Sequence, residues 1–235
     1  MKKTATIIFM IICLSVFIFS GYKIISWYFA NKENKKINEE TKQAITITKG
    51  KVKVDFEKLK KQNSDAIAYL KVNNTNINYV VTKTTNNDYY LNHNFNKDYN
   101  ISGWVFADYR NNFDDTDKNI IIYGHNTMDD SMFGSLKNIL KKDWYTNQDN
   151  LKITLITENK EYKYKVFSIY QIEAEDYYIK TKFESNEFIK FVNEIKSRSI
   201  HDFKEELNND DIILTLSTCS QTGKERVVLH AKQIT

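Results

Sequence analysis

Residues 211–232, DIILTLSTCSQTGKERVVLHAK, hold two period-2 runs separated by a short polar loop, and a chain carrying such a pair must build a sheet that covers it. Ile212, Leu214 and Leu216 alternate with Ile213, Thr215 and Ser217, so the first run reads as a strand buried on at least one face. The loop Ser220 to Glu225 turns the chain. Arg226, Val228 and His230, alternating with Val227, Leu229 and Ala231, then bring a second strand back antiparallel. In such a hairpin Cys219 and Arg226 face each other across the mouth, because directly opposed residues share a face. A free cysteine is most often a small buried hydrophobe. Cys219 departs from that pattern, since it stands at a strand exit, where loops carry function, and the strand behind it already supplies the aliphatic residues of a core. A nearby cation also favours the thiolate, the nucleophilic form.

The same periodicity recurs upstream. Ala66 to Val72 and Ile77 to Lys83 read as strands joined by the turn-like Asn73-Asn74-Thr75-Asn76, with further strands at Gly103 to Ala107, Asn119 to His125, Leu151 to Thr157 and Tyr162 to Ile172. Helical spacing is confined to three places. Phe56 and Leu59 follow Asp55 as N-cap, Phe133, Leu136, Ile139 and Leu140 form a short segment, and Ser185 to Arg198 carries Phe188, Ile189, Val192 and Ile195 on one face. About eight short strands and few helices predict a mostly β domain, an antiparallel-dominated barrel closed on itself.

A thiol nucleophile needs a base, and position decides among the histidines. His230 shares the face of Arg226 but lies four residues along the hairpin, roughly 13 Å from its mouth at about 3.3 Å per residue. His93 and His201 sit in polar stretches typical of solvated surface. His125 ends the strand NIIIYGH as Cys219 ends its own, so the two meet if those strands run parallel and adjacent. Tyr123 and Ser217, each two residues earlier on the same face, either line a groove there or pack the barrel.

Ala5 to Tyr22 is an uncharged run of about 18 residues, close to what a helix needs to cross a hydrocarbon core of roughly 30 Å. Lys2 and Lys3 precede it, and Trp27, Tyr28 and Phe29 follow where an interfacial aromatic belt would lie, which favours a cytoplasmic N-terminus with the domain outside; Lys23, Lys32, Lys35 and Lys36 oppose that charge bias. A cleaved signal peptide is the alternative. No pair of small residues stands at the −3 and −1 positions of a plausible site, so residues 1–30 read as an uncleaved anchor. Residues 31–51, polar and rich in Lys, Glu and Asn, read as a stalk, which leaves 52–235 for one catalytic domain.

A net charge of +4 with interleaved signs and no basic stripe gives nucleic-acid binding no support. Cys13 lies in the apolar run and Cys219 is alone in the remainder, so no disulfide forms inside the domain. Asp114, Asp115 and Asp117 lack the spacing and distal glutamate of a calcium loop and read as a solvated turn; no metal and no cofactor are expected.

TLSTC at Thr215 to Cys219, the arginine at 226 and YGHN at Tyr123 to Asn126 together resemble the sortases of Gram-positive bacteria. The likeness runs through most of the domain, and DFEKLKKQNSDAIAYLKVNNTNINYVV, NDYYLNHNF and the helix inserted before the cysteine strand are similar to the class B branch. That resemblance implies an eight-stranded β-barrel and carries the family's cysteine, histidine and arginine onto Cys219, His125 and Arg226. It also implies a membrane-anchored cysteine transpeptidase: Cys219 attacks a carbonyl of a sorting-signal peptide of a secreted protein, His125 serves as general acid and base, Arg226 holds the oxyanion, and a peptidoglycan amine takes the acyl group. Two features depart from the family pattern. Relatives commonly have a proline in the segment matching Ile77 to Val81, whereas this chain has none, and the loop Ser220 to Glu225 is short. Residue types alone leave two other readings open, a cell-surface thiol peptidase and a non-catalytic peptide-binding module.

Overall fold

Strands buried along most of their length set the architecture. The computed structural model describes residues 2–48, 51–114, 116–184, 186–219 and 225–234, and of Lys2 and Cys219 the backbone alone. The chain runs through α1 (Lys2–Lys42), a hairpin of β1 (Ile45–Thr48) and β2 (Lys51–Val54), α2 (Phe56–Gln62), β3 (Ala66–Val72), β4 (Asn78–Thr82), β5 (Phe106–Ala107), β6 (Asn119–His125), α3 (Lys142–Tyr145), β7 (Lys152–Thr157), β8 (Glu161–Glu173), α4 (Glu187–Ser197), β9 (Ile213–Cys219) and β10 (Glu225–Gln233). Eight of these strands close a barrel in the order β10-β8-β7-β3-β4-β5-β6-β9. Among the described residues, only β4–β5 and β6–β9 pair parallel. The mostly β, antiparallel-dominated barrel expected from the sequence is the fold.

Both faces of β9 are covered. Leu214 and Leu216 join the barrel core with Leu229 and Ala231 of β10, while Ile213 packs outside with Val228 under α4. Phe188, Phe191, Val192 and Ile195 of α4 close over Phe167 and Tyr170 of β8. Each such buried side chain contributes about 1.5–3 kcal/mol as an upper bound, which fixes the inserted helix to the outer wall. Asp55 caps α2 by accepting from the Lys58 amide at 2.9 Å.

Three local readings change. The strand expected at Gly103 to Ala107 shrinks to Phe106–Ala107 because Gly103 adopts φ +54 and ends a tight turn. The helical segment after Phe133 is a 3-10 helix, Gly134–Leu140, followed by the single turn of α3. Its buried anchors Phe133, Leu136 and Ile139 recur every three residues, the repeat of a 3-10 helix rather than an α-helix. Finally, the polar segment expected as a stalk is helical up to Lys42 and docked on the barrel: Asn31, Asn34, Ile37, Asn38 and Thr41 are all buried on one face of α1. Asparagine at core-facing positions hides this packing from a hydropathy reading.

Candidate active site

The parallel ladder between β6 and β9 pairs Asn119 with Ile213 and continues without a shift to His125 opposite Cys219. Two strand ends therefore emerge together at one rim. The antiparallel ladder between β9 and β10 ends at the pair Ser217–Val228, so Cys219 and Arg226 each lie two residues beyond it at the same end of the hairpin. The adjacency that a thiol and an imidazole need is thus written in the register. The loop from Ser220 to Lys224 lies outside the described residues, as does the Cys219 side chain.

His125 is buried, and its Nε2 meets the Leu91 carbonyl at 2.7 Å. A carbonyl only accepts, so Nε2 carries the proton and Nδ1 holds the lone pair. Among the described residues Nδ1 has no hydrogen-bond partner. Burial pushes the His125 pKa below its ordinary 6.5; the Leu91 carbonyl opposes that, and the Arg226 charge lowers it further. The resting imidazole at neutral pH is neutral. Gly103 makes room for the ring, since a Cβ there would lie 2.9 Å from His125 Cδ2, 2.8 Å from the Leu91 carbonyl oxygen and 2.3 Å from that of Tyr90.

Tyr123 and Ser217, two residues before His125 and Cys219, are both buried. With Arg226 they line one wall of a cavity of about 640 Å³ whose other wall is the segment Ala174 to Ile179 between β8 and α4. Tyr123 donates its hydroxyl to Asp108 Oδ2 at 2.9 Å, and Ser217 Oγ lies 2.9 Å from the Tyr178 hydroxyl. Asp108 is fully buried. Burial alone would raise its carboxyl pKa, but hydrogen bonds from Arg110 and Tyr123 outweigh it and hold the group below its ordinary value, as a carboxylate. Arg110 reaches back from Asp108 to the Ile179 carbonyl at 2.9 Å, which ties the far wall to the near one.

His230 is also where its position in the hairpin puts it, deep in the wall and fully buried. It lies 2.8 Å from the Tyr170 hydroxyl through Nε2 and 2.8 Å from Thr215 Oγ1 through Nδ1. Thr215 donates to Asn119 Oδ1 at 2.7 Å, so its oxygen accepts from His230 Nδ1–H, and Nε2 accepts from Tyr170. Asn119 Nδ2 in turn holds the Tyr178 and Lys180 carbonyls. His93 stacks on Tyr89 at 4.1 Å and His201 on Tyr145 at 4.7 Å. Asp117 accepts from the Asn112 and Phe113 amides and so shapes its own loop.

Sequence reasoning passed over Leu91, Gly103, Asp108, Arg110, Asn119 and Tyr178. The charged pair spaced two apart in Asp108-Tyr109-Arg110, and a glycine in a chain that has only 6, were the available signals.

The fold that brings the strand ends carrying His125, Cys219 and Arg226 together is a closed eight-stranded β-barrel. Residues 70–234 match the family model described as the sortase domain, and the chain belongs to the sortase family. It is 34% identical to sortase B of Listeria monocytogenes over 96% of this chain and 95% of that protein, and 32% identical to sortase B of Staphylococcus aureus over 100% and 98%. Among solved structures, sortase B of Bacillus anthracis in complex with AAEK1 superposes with a TM-score of 0.78 at 31% identity, covering 88% of this chain and 98% of that one. The Clostridium perfringens sortase B structure gives 0.71 at 38% identity over 77% and 100%. Its relatives are thus class B sortases, a branch of cysteine transpeptidases acting on sorting-signal peptides. The chain also has one N-terminal helix long and apolar enough to cross a membrane.

Proposed function

We propose that this chain is a membrane-anchored transpeptidase in which Cys219 is the nucleophile, His125 the general acid and base, and Arg226 the oxyanion donor. The observation that carries it is the His125–Cys219 pair in the parallel ladder. A neutral His125 cannot begin as a proton donor, so Nδ1 first takes the thiol proton as sulfur attacks the substrate carbonyl. The imidazolium then gives that proton to the leaving amine, and a thioacyl enzyme remains. A second amine, supplied by a peptidoglycan precursor or cross-bridge, loses its proton to Nδ1 and takes the acyl group. Arg226 stays charged throughout and can donate in a fork to the developing oxyanion. The groove of Tyr123, Ser217 and Tyr178 accommodates the sorting peptide of a secreted protein.

The anchor reading places the N-terminus in the cytoplasm and the domain outside, where secreted substrates and wall precursors meet. Product analysis tests the reaction. The full-length chain in detergent micelles is incubated with a pentapeptide library, with and without an added amine. Transfer predicts faster turnover and diversion of product from free acid to amide. Acid alone across a broad amine panel would leave a thiol peptidase as the surviving reading.

A further inference from the structure

The seat of His125 is built from two short segments, and both are tied to the anchor helix. Segment 90–92 offers three successive carbonyls: Tyr90 accepts from the Trp104 amide at 2.9 Å, Leu91 from His125 Nε2, and Asn92 from the Asn100 amide at 2.9 Å. The Leu91 carbonyl is therefore aimed by bonds on either side of it. Those bonds originate in the turn 100–104, which closes on itself through Gly103 N–H to the Asn100 carbonyl at 2.9 Å and Ser102 N–H to Asn100 Oδ1 at 3.0 Å.

The barrel holds one end of this turn, where the Trp104 indole N–H donates to the Val80 carbonyl of β4 at 2.8 Å, and α1 holds the other. Asn34, 1% exposed, uses both amide hydrogens on it, donating to Gly103 O at 3.0 Å and to Asn100 Oδ1 at 3.2 Å. Asn100 replies with its own amide to the Ala30 carbonyl and to Glu33 Oε2, each at 3.1 Å. Two asparagines thus form a reciprocal clamp between helix and turn. A buried clamp of this kind needs a purpose beyond docking, because apolar residues would dock the helix with less desolvation.

We infer that Asn34 is a positioning residue for His125, acting through the Asn100–Gly103 turn and the Leu91 carbonyl to hold the imidazole with its proton on Nε2 and its lone pair toward Cys219. The inference deepens the proposed reaction and rests on His125 being its acid and base. The membrane helix and the catalytic centre then form one mechanical unit, with the coupling carried by hydrogen bonds at identified atoms.

The test uses the full-length chain in micelles with 15N-labelled histidine, the His125 signals being assigned by their loss in His125→Ala. In the wild type the two ring nitrogens of His125 give well-separated shifts, the mark of a single neutral tautomer. Asn34→Leu keeps the volume and removes both donors; it should bring those shifts together and lower kcat by roughly 10- to 100-fold, the scale of a misplaced catalytic group, with KM nearly unchanged. Asn34→Ser, which keeps one donor, should fall between and stands in if the leucine variant folds poorly. Asn38→Ala, on the same buried face but making no hydrogen bond to the turn, should leave the tautomer and kcat as they are. Unmoved His125 shifts in Asn34→Leu, or equal effects from Asn38→Ala, would overturn the inference. If His125→Ala itself leaves the rate intact, the catalytic reading falls, and the nitrogen shifts alone still decide whether Asn34 positions the ring.

Discussion

Acid should destabilise this protein through His230. The side chain is fully buried between Tyr170 and Thr215, and burial lowers its pKa from 6.5 to about 3. Both ring nitrogens are committed, one as donor to Thr215 and one as acceptor from Tyr170, so an added proton must break the Tyr170 bond. A histidine depressed in the native state binds fewer protons folded than unfolded. Its contribution is complete above pH 6.5 and is lost as pH falls from there toward the native pKa. Between pH 7 and pH 5 the loss is about 2 kcal/mol, a value insensitive to how far below about 4 the native pKa lies. Urea denaturation followed by tryptophan fluorescence at pH 5, 6 and 7 measures it. His230→Gln should start less stable at pH 7 by about 1–3 kcal/mol, from the altered hydrogen bonds, and then lose about 2 kcal/mol less on going to pH 5. Every other group is common to the two proteins and cancels in the difference. Parallel pH curves for the two proteins would refute the reasoning.

Cys219→Ala should abolish acyl transfer while leaving the thermal transition in place; retained turnover would remove the nucleophile assignment. His125→Ala should slow transfer by roughly two to four orders of magnitude, the range for general acid–base loss, whereas His230→Gln should act mainly on stability, as steady-state kinetics above pH 6.5 would report. Arg226→Lys should depress both transfer and hydrolysis because an ammonium keeps the charge but loses the fork. Wild-type rates there would reduce Arg226 to a surface charge worth at most about 1 kcal/mol. Gly103→Ala should cost about 2–4 kcal/mol by urea unfolding, combining left-handed strain with overpacking, and should slow transfer as well, since the new Cβ meets the Tyr90 and Leu91 carbonyls and the His125 ring; a neutral substitution would mean the turn yields more freely than its contacts suggest.

Much of the fold could be read from strand-length runs of apolar and β-branched residues, because β6 and the described part of β9 are buried throughout and β3 is buried at five of its seven positions. The proposed site positions Cys219, His125 and Arg226 were chosen for a related reason: strand exits are visible in sequence even when strand neighbours are not. The neighbours themselves were not legible. Parallel pairing of β6 with β9 joins residues about ninety apart, and no local signal encodes it; the family resemblance supplied what periodicity could not. The seat of His125 was hidden because it consists of backbone carbonyls at Tyr90 and Leu91, whose side chains say nothing about them. Asn31, Asn34 and Asn38 hid the docking of α1 in the same way, their amides reading as solvent when they are in fact buried. The 3-10 segment was visible as period three at Phe133, Leu136 and Ile139 but was read at the commoner period.

The unbroken course of α1 from Lys2 to Lys42 changes what kind of device the anchor is. A flexible tether would let the domain tumble above the bilayer and search for substrate. A helix clamped to the barrel at Asn34 instead behaves as a mast. If the apolar stretch spans a bilayer as proposed, ending near Tyr22, the remaining residues to Lys42 rise about 30 Å, and the proposed active-site rim takes a fixed height and a fixed compass bearing about the membrane normal. Substrate and acceptor must then arrive at that height and from that side. Two residues inserted between Tyr22 and Ala30 would lift the rim by only about 3 Å but swing it through about 200°.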